Sequence, residues 1–166
     1  MSVEFTDNSV RVKAELQEAC IAYLYEAAGE LEAQTKRNTR VGHTSHTKNS
    51  WSYRVDESKL EARVGNPLQN AIWEEFGTGE YALHGDGRKG YWVYVDDGTE
   101  STSTNHDGKS YTLGEAKRIV AMMRTDGLNA YYTKGKKPNR ALQSAFTSLK
   151  SALIRRAEDV LKGRFE

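Results

Sequence analysis

Cysteine is nearly absent from these 166 residues: Cys20 stands alone, so no disulfide can close within the chain and a packed core must supply the stability. The thiol sits beside Ala19 and Ile21 in a helical pattern, where a small buried group fits. Long apolar runs are missing too. No stretch approaches the length that spans a bilayer, and the opening MSVEFTDNSVRVK lacks the basic start and apolar run of a secretory signal. Together these absences lead to the expectation of a reducing cytoplasm. Charge imbalance is the third thing lacking. With 24 Lys plus Arg against 23 Asp plus Glu, no net field draws the molecule onto nucleic acid or an anionic membrane, which disfavours a dedicated DNA binder. No internal repeat is visible.

Signatures of chemistry are equally sparse. Of the four histidines, His43 and His46 are three apart but fall in a polar loop, and His84 and His106 lie in separate segments, so solvated side chains are expected rather than a metal site. Glu74 and Glu75 are neighbours, which on a helix point about 100° apart and do not face each other as an acid and base pair would. No Gly-x-Ser-x-Gly elbow is present and no histidine is near Cys20 in sequence, so nucleophilic catalysis has no candidate. GDGRKG, residues 85–90, has the glycines and cations of a phosphate cradle but not the strand, loop and helix of a nucleotide pocket. No cofactor is expected. The basic cluster Lys134, Lys136, Lys137 and Arg140 reads as a solvated face, with contact to DNA phosphates or an acidic partner as the alternative.

What is present is a set of periodic segments. From Ser9 to about Lys36, Val12, Leu16, Cys20, Tyr23 or Leu24, Ala27 and Leu31 recur at helical spacing, with Asp7, Asn8 or Ser9 as the cap. Residues 37–49 read as a loop. Trp51, Tyr53 and Val55, then the alternating run Leu60 to Val64, predict an antiparallel hairpin ended by Asn66-Pro67. The following segment predicts a short helix with Leu68, Ile72 and Phe76 in contact, and Tyr91 to Val95 another strand. Residues 96–109 hold no large apolar side chain and read as disordered in the isolated protein. Leu113 to Arg124 predicts a helix resting on Ile119, Val120 and Met123 and closed by Asp126-Gly127, with a strand at Ala130 to Thr133. Pro138 and Asn139 open the last helix, whose expected buried face is Leu142, Ala145, Phe146, Leu149, Leu153, Val160 and Leu161. The expected architecture is one α+β domain over residues 1–166, a small antiparallel sheet flanked by long N-terminal and C-terminal helices, with flexible loops at 37–49 and 77–112. At 37% hydrophobic and 28% charged residues the core is lean, so part of the chain is expected to pack poorly when alone.

The most distinctive element is Ala71-x-x-x-Glu75-Phe76-Gly77-Thr78-Gly79 after the hairpin. Phe76 reads as a core anchor, while Gly77 and Gly79 give access to backbone conformations closed to other residues, either for a tight local turn or for a subunit contact. This motif, with the later entry Thr133-Lys134-Gly135-Lys136-Lys137-Pro138-Asn139 into Ala141, Leu142 and Ala145, resembles the neck, or putative tail-component, proteins of lambda-like long-tailed bacteriophages. The order of elements is similar over nearly the whole chain. Two departures are local: Arg40-Val41-Gly42-His43 stands where many relatives carry a proline and a Thr-Gly-x-Leu step, and the helix at 113–124 looks like an insertion.

The resemblance implies a non-enzymatic structural protein of the virion, assembled in the host bacterial cytoplasm, that completes the tail and joins it to the head around the DNA channel. It implies a homo-oligomer, with a hexameric ring favoured, whose partners are tail-terminator, tail-tube and head-closure proteins, with transient passage of genomic DNA and no membrane contact. Glu75, Phe76, Gly77, Thr78 and Gly79 are the candidate subunit-interface residues. The alternatives are a nucleic-acid-binding accessory domain using the basic turn at 134–140, or a small hydrolase whose site carries no recognisable motif.

Overall fold

The computed structural model describes residues 7–41, 45–96, 103–105 (backbone only) and 107–163. In chain order the elements are α1 (Ser9–Asn38), α2 (His46–Asn49), β1 (Ser52–Asp56), β2 (Glu61–Gly65), α3 (Gln69–Phe76), a 3-10 turn (Gly79–Tyr81), β3 (Trp92–Asp96), β4 (Ser103–Asn105), α4 (Leu113–Thr125), β5 (Ala130–Thr133) and α5 (Ala141–Lys162). The α+β class read from the sequence holds, with long helices at both ends and every strand pairing antiparallel, the strands being divided between a two-stranded and a three-stranded sheet. The chain forms two compact units, Met1–Leu68 with Ala141–Glu166, and Gln69–Arg140.

In the first unit, α1 packs along α5 and against the β1–β2 hairpin. Its 30 residues make a rod about 45 Å long at 1.5 Å per residue. Asp7 starts it, the Oδ1 accepting the Ser9 N–H at 2.9 Å. The far end is tied back on itself, because Thr39 adopts an extended conformation and both its N–H and its hydroxyl donate to the Thr35 carbonyl. The periodic residues expected to form the stripe, Cys20 among them, are half-buried; the fully buried positions are the small Ala19, Ala28 and Thr35. Burial in this helix thus falls on small residues rather than on the apolar row that periodicity marks out. The same holds for α5. Ala141 and Ala145 are buried, whereas Phe146 and Leu161, expected inside, are exposed together with Ile154. Polar ties complete the helix pair: the Tyr23 hydroxyl donates to the Leu153 carbonyl at 2.5 Å, and Arg156 pairs with both Glu26 and Glu30.

The hairpin starts one residue later than expected, at Ser52, leaving Trp51 outside the ladder as a buried side chain. Its register sets Tyr53 opposite Val64 and Val55 opposite Ala62 on one face, with Arg54 opposite Arg63 and Asp56 opposite Glu61 on the other. Tyr53 lies against Gly29 of α1 and edge-on to Tyr25. The loop expected at 37–49 is shorter than that range, since α1 runs to Asn38 and His46–Asn49 is a helical turn; Gly42, His43 and Thr44 lie outside the described residues.

The second unit has a cluster of buried side chains: Val93 of β3, Ala116, Val120 and Met123 of α4, and Ala130 of β5, edged by Tyr91, Val95, Tyr111 and Ile119. Helix α4 opens with a capping box in which Thr112 Oγ1 accepts the Glu115 N–H and the Glu115 carboxylate accepts the Thr112 N–H. The Thr112 N–H and hydroxyl, both donating to this carboxylate, hold the Glu115 carboxyl below its ordinary range. The sheet order is β4-β3-β5. The strand β4 falls within the stretch read as disordered; its Ser-Thr-Asn backbone pairs with Tyr94 to Asp96, and residues 97–102 and His106 lie outside the described residues. At the opposite edge, the Arg124 guanidinium donates from Nε to the Ala130 carbonyl at 2.9 Å and lies 5.2 Å from the Tyr131 ring centre.

Candidate interaction site

The two segments that carry the sequence signature meet within the second unit. After α3 the Gly77 N–H still donates to Trp73, and the chain then reverses through Gly77 and Gly79 at φ of +74° and +59°. Backbone bonds follow, from the Thr78 N–H to the Lys136 carbonyl and from the Glu80 N–H to the Lys134 carbonyl, both at 2.9 Å. The Lys136 N–H returns a bond to Thr78 Oγ1 at 3.0 Å, joining residues 58 apart in the chain. The Asn139 N–H donates to the Glu74 carbonyl at 2.6 Å.

Glycine is required here by contact as well as by torsion. A Cβ on Gly79 would lie 2.3 Å from the Lys134 carbonyl oxygen, and one on Gly135, at φ +124°, 2.0 Å from the Thr78 carbonyl oxygen. Gly87 closes the other side, where a Cβ would meet the Gly79 carbonyl oxygen at 1.9 Å. Three strands of backbone therefore cross with nothing between them. The sequence singled out Gly77 and Gly79, and Gly135 within the entry to the last helix, but not the contact that joins them; Gly87 was read only as one glycine of the 85–90 segment.

The candidate interface residues divide by environment. Glu75 is buried, as are Gly77 and Gly79, while Thr78 spends its hydroxyl inside the junction. Phe76, expected as a core anchor, is instead exposed, and its ring lies against His84 with centres 5.5 Å apart. Ile72, expected to share a buried face with it, is exposed as well, and Ala71 and Glu75 face inward in their place.

The basic cluster is largely spoken for. Lys134 pairs with Glu80 at 3.1 Å, and Lys136 pairs with Glu74. Lys134 and Lys137 both reach the Tyr81 ring, at 5.3 and 5.7 Å from its centre. The Lys134 ammonium lowers the Glu80 carboxyl below its ordinary value, helped by the Gly90 N–H, and the Glu80 carboxylate raises Lys134 in return. Arg140, at φ +53°, is the exposed residue before α5. In the 85–90 segment, Arg88 donates to Ser110 Oγ at 3.0 Å and to the Lys109 carbonyl, and stacks over Trp92.

Among the described residues no group of three or more His, Cys, Asp or Glu converges as metal ligands would, and no helix is long and apolar enough to cross a membrane. His43 and His106 lie outside the described residues. The hairpin's charged face encloses a shallow depression of about 230 Å³ lined by Arg54, Asp56, Lys59, Glu61 and Arg63. No family model, curated protein or solved structure matches the chain.

Proposed function

We propose that this chain is a structural subunit of the neck of a long-tailed bacteriophage, a tail-completion protein that forms a ring joining tail to head around the DNA channel. The reading entails no reaction. It makes the chain a homo-oligomer, a hexamer being favoured, located in the virion after assembly in the host cytoplasm and bounded by tail-terminator, tail-tube and head-closure proteins. One observation carries most weight: the Glu75–Gly79 turn and the Thr133–Asn139 entry, the two segments on which the resemblance rests, are hydrogen-bonded to one another as one junction. Two short motifs that separately resemble a family are weak; two that must coexist to close one backbone crossing support each other.

The basic-turn alternative loses support from the ion pairs of Lys134 and Lys136, since phosphate contact would have to displace a carboxylate from each. The test is mass measurement of the purified protein, alone and with tail-tube and head-closure proteins, with electron microscopy of the products. Closed rings with a central channel are the expected outcome. A protein that stays monomeric with every such partner, or that shifts duplex DNA with a steep salt dependence, overturns the reading.

A further inference from the structure

We draw no further inference here: the strongest candidate, the charged face of the β1–β2 hairpin, where Arg54 stands opposite Arg63 beside a shallow depression, carries nothing because Asp56 and Glu61 line the same depression and nothing in the structure shows what covers it.

Discussion

The two units of this chain reach stability by different means. The first is held by two long packed helices whose buried hydrophobic side chains are all alanines, with half-buried larger residues beside them and polar ties such as Tyr23 to the Leu153 carbonyl between them. The second is smaller in its elements but more tightly specified, with a compact buried cluster around Val93 and a crossing of three backbone segments that admits only glycine at its centre. A distributed seam loses little when any one contact is removed. A crossing of bare backbone fails as a whole when one methyl group enters it.

The sharpest way to break this contrast is Gly79→Val. A β-branched side chain at φ +59°, directed at a carbonyl oxygen 2.3 Å away, is expected to cost more than about 4 kcal/mol and to unfold the second unit. Hydrogen exchange should then show β3, α4 and β5 unprotected while α1 and α5 stay protected; equal loss in both would refute the separation. Gly85→Ala is the control. Its φ is +72° but a Cβ meets nothing within 4 Å, so only left-handed strain of about 1–2 kcal/mol is expected.

Met123→Ala in the buried cluster should cost about 2–5 kcal/mol by thermal or denaturant unfolding, through lost transfer energy and the cavity left behind. Tyr23→Phe removes a single hydroxyl bond from the seam of the first unit, and about 1 kcal/mol is expected. If the Tyr23 change proved the larger, the seam would be less distributed than the packing shows.

The smallest effect is one of pH. The folded carboxyl of Glu80 titrates below its ordinary value of 4.5 because of Lys134, so its contribution is present above that value and is lost as pH falls through the lower, folded one. The pair is exposed, and a Glu80→Gln variant should differ from the parent only slightly near neutrality and not at all at strongly acid pH. A difference that grew on acidification would reverse the assignment.

Much of this fold was legible in the sequence where one pattern dominated a long enough segment. Ile119, Val120 and Met123 marked α4, Asp126-Gly127 closed it, and the aromatic run at Tyr91 to Val95 marked the central strand, whereas the Thr112 and Glu115 capping box was found only in the structure. Legibility failed where a helix carries apolar residues on two faces. In α3, eight residues long, Ile72 and Phe76 matched helical spacing as well as Ala71 and Glu75 did, so periodicity alone did not choose the inward face. In α5 the ridge of Phe146 and Leu161 was indistinguishable from the core row in periodicity alone. Strand β4 has only Ser-Thr-Asn, a composition with no pattern to read, because its pairing depends on backbone groups that every residue possesses. The candidate site was visible as two motifs; that they form one junction was not.

Arg124 has a wider consequence. By occupying the Ala130 carbonyl at the outer edge of β5 and covering Tyr131, it denies an incoming strand one of the acceptors it would need to extend the sheet. Any two copies brought close together are thereby offered one acceptor fewer at this edge, which lowers the chance that they zip into a continuous sheet.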